Sequence, residues 1–396
     1  MKKLFLLVSS LVALVPAAHA QYPVSGKVLD QQTHQPVPYA SVVVAGTTQG
    51  TTSNSEGEFL LTVRQVPAKV LAFSLGYGRD SVQVTAAGPL RALVLVPAPV
   101  QLPTVEPPSY ATALLANAYR ELLRTQDHKE YGQAFYRQVA RLDNNPTEVQ
   151  EMVWDVKTGN AGIEGALYNQ GRYAVKQKQL LNFKNFPNFT KAFSFFDSPA
   201  DTATARNVVS LNAAHYYTLR LKGIVQSGSQ SVAEISFVSN PATNRLGRQG
   251  SVFIDVDTYQ VVRMRATLPA HTISNNPFFK FKNSTITFEA DLRQQPAGAA
   301  LVYIKTTYST AIGRPLKADM QSEVMSFTFF YNSQPTPTGL PYAAANAPGF
   351  DMASIKQKPY DAAFWRDNPV VKRTPLEEEI IKSFEQQKAF GTMLEK

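Results

Sequence analysis

Apolar and polar residues alternate at period two along most of the chain, the pattern of half-buried strands. Over 22–97 the runs are short. They cover 24–29, 41–45, 58–63, 70–75 and 93–96, with turn-forming stretches at 30–36 and 46–55 between them. Short strands at close spacing predict a small sandwich. Gly57 stands where a turn needing positive φ hands over to the strand at Phe59. Pro97, Pro99, Pro103, Pro107 and Pro108 resist helix and sheet alike. A linker over 99–108 therefore divides a first domain, 21–98, from a second.

The second domain, 109–333, begins with helical periodicity. Ala111, Leu114, Leu115, Ala118 and Leu122 form one stripe of a helix over 109–124. Strand pairs follow at 133–142 with 148–157, 216–226 with 231–238, and 251–256 with 259–268, each around a polar turn. Ile286, Phe288, Ala290 and Leu292 share one face while Thr285, Thr287, Glu289 and Asp291 take the other. Such one-sided alternation predicts an antiparallel sheet with a solvated face. About ten strands are expected, enough for a long curved sheet or an incomplete barrel around the early helix. The tail, 334–396, reads as irregular to about 359. Thr374-Pro375-Leu376-Glu377 is a capping box that starts a helix, and Leu376, Ile380 and Phe384 give it a stripe that packs on its own domain.

Composition narrows the function. The chain has 396 residues and no cysteine, which excludes disulfides, thiolate metal sites and cysteine nucleophiles. Lys2 and Lys3 precede an apolar run over 4–15, and Ala18-His19-Ala20 offers a small-residue cleavage site. Residues 1–20 thus read as a secretory signal peptide, too short in its apolar part to span a membrane. No further spanning stretch is expected in the mature chain. The net charge of +9 is spread rather than clustered: 24 basic and 18 acidic residues lie between 99 and 350. That pattern gives no footprint for nucleic acid.

Several short runs resemble a known family. Val24-Ser25-Gly26-Lys27-Val28, Pro38-Tyr39-Ala40-Ser41-Val42, Thr51-Thr52, Glu56-Gly57-Glu58-Phe59 and Phe73-Ser74-Leu75-Gly76-Tyr77 resemble the carboxypeptidase-regulatory-like domain. The resemblance implies a seven-stranded, transthyretin-like sandwich, common in Gram-negative envelope proteins and without catalytic residues of its own. Asn54 or Ser55 stands where that family usually has an acidic residue. Phe135-Tyr136-Arg137-Gln138, with Phe364-Trp365, resembles an uncharacterised region that often follows the sandwich. Gly250–Asp255 with Val261–Met264 resembles a hairpin in the half-barrel of periplasmic lipoprotein carriers. The expected class is mainly β: a sandwich, then a larger antiparallel-sheet or half-barrel domain with a few helices.

Templates for chemistry fail. His34, His128, His215 and His271 are followed three residues on by Val37, Tyr131, Thr218 and Ser274, so no His-x-x-Glu zinc pair exists. Neither a Gly-x-Ser-x-Gly elbow nor a phosphate-binding glycine loop occurs. Asp255 and Asp257 read as a solvated position and a turn residue, and Asp127-His128 as an exposed pair. No catalytic, cofactor or metal residue is assigned. The feature left over is aromatic: Phe183, Phe186, Phe189, Phe193, Phe195 and Phe196 crowd into 14 residues. They plug their own core, line an apolar ligand cavity or dock on lipid. The expected function is a non-catalytic exported protein, periplasmic or outer-membrane associated, that binds or assembles with another envelope protein, a glycan or a lipid. The alternative is a periplasmic carrier of an acyl chain. The leader reading makes a direct prediction: intact mass of the protein recovered from the envelope should place its N-terminus at Gln21, and retention of Met1 would refute export.

Overall fold

The computed structural model describes residues 21–101, 108–176, 181–196, 207–227, 230–270, 279–345, 351–367 and 370–390. The leader, linker residues 102–107 and His271 lie outside them.

The first domain holds β1 (Tyr22–Asp30), β2 (Ser41–Val44), β3 (Gly50–Thr52), β4 (Glu58–Val63), β5 (Ala68–Phe73), β6 (Asp80–Val84), β7 (Gly88–Pro89) and β8 (Leu93–Leu95). One sheet runs β4-β1-β7 with β8 also on β1, and the other runs β3-β2-β5-β6. Seven of these strands match the expected sandwich; the eighth, β7, is a two-residue pairing along β1. Val24, Val28, Val42, Phe59, Val70, Leu93 and Leu95 fill the space between the sheets. The Phe59 ring leaves no room opposite: a Cβ on Gly26 would stand 2.6 Å from it. Gly57 has φ +72°, the turn conformation anticipated for it. At the position where the resemblance expects an acid, Asn54 Oδ1 accepts from the Glu56 and Glu58 N–H groups at 2.9 Å each. An amide oxygen suffices because both donors are neutral backbone groups.

The second domain adds β9 (Val100–Gln101), α1 (Pro108–Arg124), β10 (Glu130–Leu142), β11 (Asn145–Thr158), β12 (Ile163–Val175), α2 (Pro187–Lys191), α3 (Ala213–Tyr216), β13 (Tyr217–Ser227), β14 (Gln230–Ser239), β15 (Gln249–Asp255), β16 (Val261–Pro269), β17 (Lys280–Arg293), β18 (Ala300–Arg314) and β19 (Lys317–Gln334). The tail adds β20 (Ala343–Ala344), α4 (Asp351–Gln357), α5 (Ala362–Asp367) and α6 (Pro375–Gln386). β9 to β20 form one 12-stranded sheet in the order β20-β12-β11-β10-β19-β18-β17-β16-β15-β14-β13-β9. The two end strands do not pair with each other, so the sheet is open rather than a barrel. Its ten long strands agree in number with the expectation, although no strand was placed over 163–175, where β12 lies, and β9 and β20 are short caps on the edges.

The hairpin between β10 and β11 turns through Asp143 and Asn144, at φ 48° and 65°. Two successive positive φ values make the tight turn whose twist suits antiparallel strands. The inner face gathers Tyr136, Trp154, Ile235, Phe237, Ile254, Met264, Leu292 and Ile304 into one core with Leu115, Ala118 and Tyr119 of α1. On β17, Ile286, Ala290 and Leu292 are buried as the alternation predicted.

Burial departs from the prediction in β10 and β11, where residues 134–140 and 148–154 are buried on both faces. The reason is the tail. After β20 caps the edge of β12, α4 packs on the inner face through Ile355. The chain then reaches the outer face, where Trp365 and Val371 join Phe135, Val153, Phe327 and Phe329. Ile380, Ile381 and Phe384 of α6 cover Val139, Val149 and Ala174. The stretch read as irregular therefore contains α4, and Leu376 of the expected stripe is instead exposed, with Ile381 taking the buried place. The capping box forms as read, Thr374 and Glu377 each bonding the other's backbone N–H.

The sandwich also docks on this outer face. Tyr39, at φ 56°, turns its ring onto Phe327 at 4.9 Å and lies under the Lys305 ammonium. Lys372 pairs with Glu58 at 3.1 Å.

Between tail and sheet lies a buried cross-strand row, Arg137 on β10, Glu151 on β11 and Arg172 on β12. Arg137 Nε donates to Glu151 at 2.7 Å, and Arg172 Nη2 to its other oxygen at 2.5 Å. The Arg172 guanidinium lies between the Trp365 and Phe390 rings, 4.7 Å from each, and also reaches Glu385. Burial alone would raise the Glu151 carboxyl, but Arg172, Arg137 and Arg373 hold it down at about 2. Its contribution to stability is therefore complete above its unfolded value and lost only as pH falls towards 2. Removing the carboxylate strands buried guanidinium groups. Glu151→Ala should cost about 3–5 kcal/mol in urea denaturation at pH 7, and a loss below 1 kcal/mol would contradict the interlock.

Candidate functional site

β12 lies near one edge of the sheet and β13 near the other, although they are consecutive long strands. The described parts of the chain joining them, 181–196 and 207–216, lie on the inner face, and a face lined with apolar side chains needs an apolar cover. That requirement accounts for the cluster of phenylalanines in 183–196.

Polar groups pin this crossing. Gln138 Nε2 donates to the Phe183 carbonyl at 3.2 Å, and Glu148 Oε2 accepts the Phe183 N–H at 3.2 Å. Thr190 Oγ1 on α2 meets Thr306 Oγ1 at 3.2 Å, and Lys191 Nζ donates to Asp351 at 2.8 Å. Asp351 also accepts from the Trp154 indole at 3.2 Å. Farther on, Ser194 bridges to Gly162, where a Cβ would stand 2.3 Å from the Phe193 carbonyl oxygen. Only glycine fits there.

The six phenylalanines separate into two roles. Phe186 is buried with Ala140, Ile286, Tyr308 and Val324, and Phe183 packs beside it. Phe196 lies 5.6 Å from Tyr119 of α1. Phe189, Phe193 and Phe195 instead line a cavity of about 420 Å³ closed on the other side by Phe237, Met264, Ala266 and Phe288. Phe193 stacks on Phe288 at 5.3 Å, and Phe189 stands at the cavity half exposed. This volume lies in the range of small-molecule pockets, roughly 300–1,000 Å³. Part of the aromatic segment plugs the core and part lines a cavity. The sheet-side residues were not singled out in the sequence; their signal was the inward position on each alternating strand.

The motif Phe135-Tyr136-Arg137-Gln138 straddles both faces. Phe135 and Arg137 point to the tail, and Tyr136 donates to Gln138 at 2.6 Å beneath the crossing. Trp365 joins Phe135 in one cluster, so the two distant motifs meet. A larger cleft, about 990 Å³, opens there between the sandwich, β10, β11 and the tail. Its charges largely pair among themselves, as Arg137 with Glu151, Arg373 with Glu378 and Lys372 with Glu58. The apolar cavity is the better candidate for a ligand.

Acid–base groups do not converge. Asp255 is buried rather than solvated, because its Oδ1 accepts from the N–H groups of Asp257 and Thr258 and from the Thr258 hydroxyl. His128 is mostly buried and bonds Glu130 at 3.2 Å. Among the described residues no three His, Asp or Glu side chains form a group able to hold a metal, and no helix is long and apolar enough to cross a membrane.

Residues 24–102 match the CarboxypepD_reg-like domain family. The N-terminal sandwich is therefore a carboxypeptidase-regulatory-like domain. A search of curated proteins finds no match. Among solved structures, the chain aligns with a Bacteroides fragilis protein of unknown function, provisionally described as membrane-associated, at 12% identity and TM-score 0.16 over 79% of this chain and 98% of that one. It aligns with a DUF1329 family protein from Desulfovibrio piger at 8% identity and TM-score 0.23, over 58% and 94%. A structure of lipid–protein interactions in lipovitellin aligns at 12% identity and TM-score 0.25, over 66% of this chain and 31% of that one. Scores at this level carry no inference about role.

Glu148, fully buried under the crossing, supplies the prediction. Burial raises its carboxyl to about 7, against the pull of the Phe183 N–H, Tyr173, Lys184 and Gln138. The folded state thus holds a proton that the unfolded chain releases near its ordinary value. Stability should fall as pH rises from about 4.5 through 7, by on the order of 3 kcal/mol. Glu148→Gln should remove this slope in denaturant titrations between pH 5 and 8. Parallel pH profiles for the two proteins would refute the assignment.

Proposed function

We propose that this protein is a non-catalytic binding protein of the cell envelope that holds an apolar ligand on the inner face of its long sheet. The observation that carries this reading is the cavity beside Phe189, Phe193 and Phe195. An apolar space bounded by a crossing segment and a sheet offers burial to a chain-like ligand, at about 0.8 kcal/mol per methylene. The sandwich and the tail brace the opposite face, which suits a rigid support for that cavity. Export rests on the leader-like N-terminus and on the N-terminal domain, whose family is expected among envelope proteins. Non-catalytic action is supported by side-chain groups that pair with one another instead of converging in a polar recess.

The test is co-purification. Solvent extraction of the full-length protein purified from envelope should release an acyl compound detectable by mass spectrometry. Ala192 lines the cavity at an exposed position, so Ala192→Trp fills it without touching the core. That variant should carry at most a tenth of the compound. Absence of any apolar compound from the unaltered protein, or equal yields from the variant, would overturn the reading.

A further inference from the structure

The cavity is not uniformly apolar. Arg248, immediately before β15, is among its lining residues, with Asn188, Ser194, Asn207 and Tyr217 as the other polar ones. No carboxylate lines it among the described residues. Arg248 is half-buried, and among the described residues its side chain makes one hydrogen bond, from Nη1 to Asn207 Oδ1 at 3.0 Å. Two other cations of the crossing are engaged within the protein: Lys191 is paired with Asp351, and Lys184 lies over the Tyr173 ring. Arg248 thus brings a positive charge to the wall of a hydrophobic space, with no anion beside it among the described residues.

The contact with Asn207 also settles which donors remain. With Nη1 engaged, Nε–H and Nη2–H form the side-on fork of the guanidinium, two parallel donors spaced for the two oxygens of a carboxylate. One guanidinium matches one negative charge. The apolar part of the lining then demands a hydrocarbon body next to that charge.

We propose that the ligand is a long-chain fatty acid, its hydrocarbon chain among Phe193, Phe195, Phe237 and Phe288 and its carboxylate on the Nε–Nη2 fork of Arg248. This inference rests on the cavity reading above and adds to it the ligand's head group. The fatty acid enters as the anion, so no bond is made or broken. Charge complementarity sets the orientation, with the carboxylate held at the polar wall and the methyl end directed towards the core.

The test uses the full mature protein and a fluorescent probe, cis-parinaric acid, beside its methyl ester. The acid and the ester share one chain and differ in charge. The acid should bind roughly tenfold more tightly than the ester at pH 8. Arg248→Gln, checked for folding by circular dichroism, should bring the acid down to the level of the ester, and Arg248→Lys should retain part of the preference. The comparison of acid with ester on the unaltered protein stands even should the variants fail to fold. Equal affinities there would overturn the head-group assignment while leaving the apolar cavity in place. Failure of both probes to bind would overturn both.

Discussion

Everything on the inner face follows from one constraint of connectivity. Two antiparallel meanders, β10–β12 and β13–β19, share a sheet because β19 pairs with β10. That pairing leaves β12 and β13 near opposite edges, and the chain between them must cross a hydrophobic surface. A polar connection would leave that surface in water, so the crossing is built from phenylalanine. The same crossing stands off from part of the sheet and encloses the cavity.

Buried polar groups then place the crossing. Gln138 and Glu148 of the sheet hold the Phe183 backbone, while Thr190 and Lys191 of the crossing meet Thr306 of the sheet and Asp351 of α4, each bonded within a mainly apolar setting. Such bonds add little net stability when made but cost much when broken, so they select one position for the segment over its alternatives. The outer face works likewise through ions: Glu151 draws Arg137 and Arg172 together across three strands, and Trp365 and Phe390 cover Arg172.

Local pattern was legible where burial was one-sided. The strand pairs, the Asp143-Asn144 turn, helix α1, the capping box at Thr374 and the carboxypeptidase-regulatory-like sandwich all followed from spacing, turn chemistry or motif. Asp255 was misread because alternation identifies a face and cannot report that a turn folds back to give that carboxylate its donors. Helix α4 was missed because a segment rich in proline, alanine and glycine carries weak periodicity. Its burial depends on Trp154 and β12, nearly two hundred residues earlier. Half of the cavity was visible as a run of aromatics; the other half, Phe237, Met264, Phe288 and Arg248, is dispersed over strands that only tertiary structure brings together.

The pairing of β10 with β19 has a consequence for how the molecule comes into being. Phe135 and Phe329 are neighbours in space but stand near opposite ends of the second domain. During N-to-C synthesis the first meander must wait, its margin open, until the last long strand emerges. Closing such a distant seam is entropically expensive and slow. Any chain interrupted before Lys317 would lack the strand that joins the halves.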